Sequence, residues 1–308
     1  MSHDYLIISP CFNENETVIK FLESVDQVIK NIDSSFLIII VNDASTDNTL
    51  ELLKNFKSTA ENSNLTILDL EYNVGHQDAI YQGLRYASGL DFNYAIVMDS
   101  DGEDDPDIIS DLVKIENKDI IHVARKGRKE GILFKTLYYF YRALFYSFTG
   151  KKLNFGNYSL ISKKVVNAIA KTSFIQYPAH LLKFKIPNRL IIYADRNKRY
   201  AGRSKMKISS LLHHAFKSFV EFSENILMVF LRIFVLVSVV LVGFLIYIFY
   251  SKYIALTAIP GWASTLSIGL VNTALICFGF FVLGIMQLNY NNRNNFQSNN
   301  SIFEIGDD

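Results

Sequence analysis

Asp99, Ser100 and Asp101 stand at the end of the mostly apolar run Tyr94–Met98, and more carboxylates follow before Pro106. Two carboxylates one residue apart can turn their oxygens onto one hard divalent cation, which then balances the charge of a bound diphosphate. An acidic, solvated loop that caps the next helix has the same composition. Asp105, directly before Pro106, fits such a helix start. Asp99 does not, because it ends an apolar run that reads as a buried strand. For the cluster as a whole, both readings stand.

The surrounding elements bear on that choice. Strands are expected at Tyr5–Ser9, Phe36–Val41, Leu65–Leu70, Tyr94–Met98 and Ile120–Ala124. Helices are expected over Glu16 to Asn31, over Thr46 to Phe56 with Ser45 or Thr46 as cap, and over His76 to Ala87. Alternation of this kind predicts an α/β fold, a mostly parallel sheet covered on both faces. Ligands of such sheets lie beyond the carboxyl ends of the strands. That rule lines Asn13, Glu14, Asp43, Asp99 and Asp101 along one edge. Like charges repel, so these carboxylates cannot all hold naked phosphate. Asp43, with Glu14, is assigned to a base or ribose, and the Asp99/Asp101 pair to the metal. No GxGxxG or GxxxxGK[ST] occurs, so a diphosphate must be held by a cation and by basic residues from later in the chain.

The 308 residues are 50% hydrophobic and carry a formal net charge of +1, room for one sizeable domain and something smaller. The near-neutral total hides an asymmetry. Met1 to Asn117 holds 6 Lys+Arg against 22 Asp+Glu, whereas Lys118 to Arg232 holds 23 against 5. A basic segment that leads into apolar helices suits anionic lipid or phosphate groups, and no nucleic-acid partner is expected. Cys11 and Cys277 form no disulfide framework and no metal spacing, as in a reducing compartment. The start, MSHDYLIISPCFNENE, lacks the pattern of a signal peptide.

Ile233 to Tyr250 and Trp262 to Leu288 are uncharged runs long enough to span a bilayer. Lys205, Lys207, Lys217 and Arg232 precede the first, and Lys252 is the one charge between them. The positive-inside rule then puts residues 1–210 in the cytoplasm and a short loop of about residues 251–261 outside, with spans within residues 226–288. The Asn-rich tail, residues 289–308, is expected to be disordered. Residues 131–150, crowded with Tyr and Phe, and the amphipathic residues 206–225 read as interfacial helices. An ordinary core helix is the alternative for the former.

Six motifs in order resemble a known family. They are Pro10-Cys-Phe-Asn13-Glu14-Asn-Glu16, Val41-Asn-Asp43-Ala-Ser45-Thr-Asp47, Asn73-Val-Gly75-His76-Gln77-Asp-Ala79, Asp99-Ser-Asp101, Arg125 with Arg128, and Arg199-Tyr-Ala-Gly202-Arg-Ser204-Lys205. Over about residues 5–210 the chain resembles the family-2 glycosyltransferases of GT-A fold, within them the polyprenyl-phosphate glycosyltransferases. The resemblance implies a membrane enzyme of a bacterial inner membrane, its catalytic domain facing the cytoplasm. It would move one sugar from a nucleoside-diphosphate donor, UDP-linked by preference, to a polyprenyl phosphate such as undecaprenyl phosphate, with Mg²⁺ or Mn²⁺ at Asp99 and Asp101. Pro10, Asn13, Glu14, Asp43, Asn73, Gly75 and Ala79 would surround the nucleotide. Arg125, Arg128, Ser204 and Lys205 would meet the acceptor phosphate, and Arg199 the reacting phosphates.

Two positions depart from the family pattern. Asn157 stands where the family has a sugar-site Asp, and Arg203 where an acid is usual. Asn can hydrogen-bond a sugar but cannot act as a base. A phosphate monoester acceptor has its second pKa near about 6, so it needs no base. A glycolipid-hydroxyl acceptor, or a catalytically silent binder of sugar nucleotides, are the rival readings, and a homo-oligomer is neither required nor excluded. His76 reads as a helix-end hydrogen-bonding residue, and His180 as a neighbour of the sugar.

Overall fold

The computed structural model describes residues 2–126, 132–152, 155–195, 197, 199–200, 208–255, 261–294 and 302–305. They form two compact units. The first comprises Met1–Arg142, Lys152–Glu221 and Asn299–Asp308, and the second Ala143–Lys151 and Phe222–Ser298.

The first unit is built on β1 (Ser2–Cys11), β2 (Phe36–Asn42), β3 (Ser63–Leu70), β4 (Asp91–Val97), β5 (Ile120–Arg125), β6 (Ser159–Ser162), β7 (Arg189–Ala194) and β8 (Ile302–Ile305). Their order in the sheet is β7-β5-β6-β4-β1-β2-β3-β8. β3, β2, β1 and β4 run parallel, as expected. β6 enters antiparallel between β4 and β5, and β7 is parallel to β5. The chain reverses direction across the sheet between β1 and β4, the place where open α/β sheets form a crevice.

Both faces of the sheet are covered because the central strands alternate two apolar sets. Leu6 and Ile8 of β1 pack toward Ile80 and Leu84 on α3 (His76–Ala87), and toward α6 (Lys163–Ala170). Ile7, between them, packs toward Phe21 and Leu22 on α1 (Val18–Ile29), and toward α2 (Thr49–Asn55) and α4 (Ile108–Val113). On α3, Gly83 allows close approach to the sheet: a Cβ there would lie 2.5 Å from Ile8 Cγ2 and 2.9 Å from Val41 Cγ2.

Two sequence expectations change. α2 begins at Thr49 rather than Thr46, because Asp47 Oδ1 accepts the Thr49 amide at 3.0 Å while Ser45 and Thr46 turn to Asn13. The tail is not wholly without structure. α10 (Trp262–Asn294) runs past Leu288, and β8 pairs antiparallel with β3 from Ile67↔Ile305 to Leu70↔Ile302. The backbone groups on the outer side of β3 would otherwise be a bare sheet edge. The described helices α5 (Ile132–Thr149) and α8 (Ile208–Glu221) fall inside the expected interfacial segments. Tyr139, Phe140 and Tyr146 of α5 are exposed.

In the second unit, α9 (Ser223–Tyr253) packs on α10 through Phe230–Phe280 and Phe234–Phe278, with ring centroids 5.6 and 5.1 Å apart. Both helices are long and apolar enough to cross a membrane, with mean hydropathy of 2.9 and 2.3 in their most apolar stretches. In α9 none of that stretch is buried. Such exposed apolar surface is the kind that marks a membrane or protein interaction site.

Candidate active site

Three loops meet at the carboxyl edge of β1, β2 and β4. Asn13 takes a positive φ of 54° directly after β1. Its side-chain oxygen accepts the Thr46 amide at 2.8 Å, and its own amide donates to Ser45 Oγ at 3.0 Å. The Glu14 amide donates to Thr49 Oγ1 at 2.9 Å, and the Glu14 carboxylate bonds Thr17 Oγ1. Burial pushes the Glu14 carboxyl up. Pro10 offers its carbonyl to Ser100 Oγ at 2.9 Å, which fastens the end of β1 to the Asp99–Asp101 loop.

Asp43 is buried at the end of β2. Its two oxygens accept the amides of Val74 at 2.7 Å and Gly75 at 2.9 Å, and the Asn73 carboxamide donates to its carbonyl at 3.2 Å. Burial raises the Asp43 carboxyl, and the two amide bonds partly offset that. Gly75, at φ 89°, is the residue before α3, and Ala79 is fully buried in the first turn of that helix. Asp43 therefore sets the turn that aims α3 at the site.

The acid loop after β4 is held from several sides. Asp99 Oδ1 accepts from Asn157 Nδ2 at 3.3 Å and lies 3.2 Å from His76 Nε2. The Asp99 amide donates to Asp104 Oδ2 at 2.9 Å. Asp101 Oδ2 pairs with Arg199 at 2.9 Å, and Arg199 Nε pairs with Glu103 at 3.1 Å. Gly102, at φ 82°, lies beneath the Tyr200 ring, whose hydroxyl donates to Ser24 at 2.9 Å. Asp105 Oδ1 accepts the Asp107 amide at 3.1 Å, the helix-start role expected of it, although α4 itself begins at Ile108.

The electrostatics follow from this crowding. Burial pushes Asp99 up, but His76, Asn157 and the charge of Arg125 at the end of β5 prevail and hold it below the usual carboxylate range. Burial and then the Asp99 charge push Asp104 up to about 8. Burial lowers His76, yet Asp99 outweighs it and the net shift is upward.

The structure thus gathers Asp99, Asp101, Asn157 and Arg199 into one cluster. Pro10, Asn13, Glu14, Asp43, Asn73, Gly75 and Ala79 frame it, and Arg125 is near enough to act on its charge. Arg128, Ser204 and Lys205 lie outside the described residues. His76 is more than a helix-end residue, because it contacts both Asp99 and Asn157. His180 Nδ1 lies 2.8 Å from the buried Glu221 carboxylate, which also pairs with Lys183. Glu103, Asp104 and Tyr200 were not singled out by the sequence. The first two hid in a run whose composition equally suits a solvated loop, and Tyr200 carries no periodic signal.

Residues 6–173 match the family described as glycosyl transferase family 2. The chain belongs to that family. This family-2 glycosyltransferase is 25% identical over 293 residues to the uncharacterized glycosyltransferase YkcC of Bacillus subtilis (strain 168), covering 91% of this chain and 87% of the relative. It is 26% identical over 217 residues to the undecaprenyl-phosphate 4-deoxy-4-formamido-L-arabinose transferase of Yersinia enterocolitica, covering 67% of this chain and 64% of that protein. Its fold is similar, with TM-score 0.53 and 13% identity, to glucosyl-3-phosphoglycerate synthase from Mycobacterium tuberculosis crystallised with Mn²⁺, UDP-glucose and phosphoglyceric acid. That match covers 72% of this chain and 79% of the other. The GT-A-like fold expected from the motifs is the one observed.

Proposed function

We propose that this family-2 transferase moves one sugar from a nucleoside-diphosphate donor, UDP-linked by preference, to a polyprenyl phosphate such as undecaprenyl phosphate, with inversion at the anomeric carbon. The observation that carries the reading is the Asp99–Asp101 loop, placed at the sheet crevice and clamped by Arg199. The similarity to a transferase named for undecaprenyl phosphate supports the acceptor.

Among the described residues no group of three or more His, Cys, Asp or Glu is arranged to hold a metal ion. The donor set nevertheless fits a hard divalent cation, Mg²⁺ or Mn²⁺. Asp99 and Asp101 offer carboxylate oxygens, and the Arg199 guanidinium already supplies positive charge at Asp101. A cation bound there would offset the charge of the departing nucleoside diphosphate. Asp43 and the Asn73–Gly75 turn then shape the nucleoside side of the crevice. Arg199, exchanging Asp101 for a phosphate oxygen, suits the diphosphate through its planar donor fork. Arg125, with Arg128, Ser204 and Lys205, is assigned to the acceptor phosphate.

No general base is required. The acceptor dianion attacks the anomeric carbon as the bond to the diphosphate breaks, so positioning and charge stabilisation dominate. A hydroxyl acceptor would need a base, and Asn157 in place of an acid counts against it. In the membrane arrangement we infer, α9 and α10 anchor the enzyme in a bacterial inner membrane, with the catalytic unit on the cytoplasmic side.

A panel of radiolabelled nucleotide sugars, offered with undecaprenyl phosphate and in parallel with undecaprenol, tests the acceptor. A product with the phosphate alone is expected. Equal transfer to the alcohol would overturn the base-free mechanism.

A further inference from the structure

We propose that Gln77 is a positioning residue of the transfer reaction: it locks the Asn157 carboxamide so that its N–H groups, not its oxygen, face Asp99. This rests on reading Asp99 as a cation ligand. Gln77 is the second residue of α3 and is buried. Its Oε1 lies 2.6 Å from the Tyr177 amide nitrogen, and its Nε2 lies 3.2 Å from Asn157 Oδ1. A carboxamide can ordinarily be turned either way. Here the choice is forced from one end, because a backbone N–H can only donate. Tyr177 therefore demands the Gln77 oxygen, and the Gln77 nitrogen then demands an oxygen from Asn157. Asn157 is left presenting Nδ2, 3.3 Å from Asp99 Oδ1 and 2.9 Å from His76 Nε2.

The anchor of this chain is itself held. The amides of Ile175 and Gln176, just before Tyr177, donate to Glu221 at 2.7 and 3.2 Å. The Tyr177 ring is fully buried, and its hydroxyl meets Ser159 Oγ at 2.8 Å. Ser159 Oγ in turn donates to the Asn157 carbonyl at 3.0 Å, which closes a circuit of Gln77, Asn157, Ser159 and Tyr177. With its oxygen spent on Gln77 and an N–H on Asp99, Asn157 serves to aim Asp99 without adding charge. Outer partners of this kind commonly change metal affinity or activity by about 10–100-fold when removed.

The test uses the full-length protein in detergent, with Mn²⁺ affinity measured by electron paramagnetic resonance in the presence of UDP, alongside kcat and KM for transfer to undecaprenyl phosphate. Gln77→Glu offers Asn157 a second acceptor and turns the Asn157 oxygen against Asp99. It should weaken Mn²⁺ binding by about tenfold or more and lower kcat, leaving KM for the lipid unchanged. Gln77→Met removes the lock, and in an Asn157→Ala background it should have no further effect on Mn²⁺ affinity. Wild-type affinity in both Gln77 variants, or a Gln77→Met effect that persists undiminished without Asn157, would reduce Gln77 to a packing role while the functional reading stood. A wild-type protein that binds no Mn²⁺ and makes no lipid product would instead remove that reading and this one with it.

Discussion

His122 shows how a single residue can resist sequence reasoning. It lies on β5, fully buried, stacked on Phe155 with ring centroids 3.6 Å apart, and among the described residues neither ring nitrogen has a hydrogen-bond partner. Burial, with the Arg189 charge adding to it, lowers its pKa to about 3 from 6.5. The unfolded chain therefore binds the extra proton first. Stability from the neutral ring is complete above pH 6.5 and is lost as pH falls through that value toward 3, at about 1.4 kcal/mol per unit. His122→Leu should flatten this part of the dependence at no cost near neutrality, which urea titrations at several pH values would show. An unchanged slope would mean the ring finds a partner. Gly102→Ala makes a second case, since it adds a methyl at φ 82° against the Tyr200 ring. It should cost about 1–3 kcal/mol of stability and slow transfer more than tenfold, as Tyr200 and then Arg199 move. Full activity in that variant would mean the loop tolerates the shift. The paired acids Asp99 and Asp101 could be read from the sequence because strand, loop and charge coincide there. His76 and Asn157 could not be brought together, because 81 residues separate them and only the antiparallel entry of β6 joins their ends.

At the scale of elements, the first four parallel strands and their helices were legible from apolar runs and turn residues. β6 and β7 were not. β6 has four residues, too few for a period, and β7 alternates Arg189, Tyr193 and half-buried aliphatics with no clean pattern. The position of α3 shapes the crevice in which we propose the nucleotide binds, and Gly83 sets how closely α3 meets the sheet. Gly83→Ala would press a Cβ into Ile8 and Val41 and lift the helix from the sheet. The expected cost is about 1–3 kcal/mol by chemical denaturation. It should come with weaker UDP binding, because Gly75 and His76 ride on the same helix. A variant as stable as wild type would show that the sheet yields instead. The helix after the acid run was foreseen from Asp105 and Pro106, and the structure shortens it because Asp105 spends its carboxylate on the turn before α4.

For the whole molecule, the charge asymmetry and the two uncharged runs carry the membrane reading in the sequence itself. The structure shows α9 and α10 long and apolar enough to span a bilayer, the length that reading needs. Membranes carrying the protein should retain it through an alkaline carbonate wash and release it to detergent; release by carbonate would contradict spanning helices. β8 escaped notice because its strand character exists only against the open edge of β3. Whether a cation-dependent transfer is governed by the Asp99–Asp101 loop can be decided by one comparison. Lipid-linked product would be measured with Mn²⁺, with EDTA, and with Asp101→Ala in Mn²⁺. Product is expected in the first case, with a loss of at least about 100-fold in the other two. Transfer that survives both chelation and Asp101→Ala would contradict that dependence.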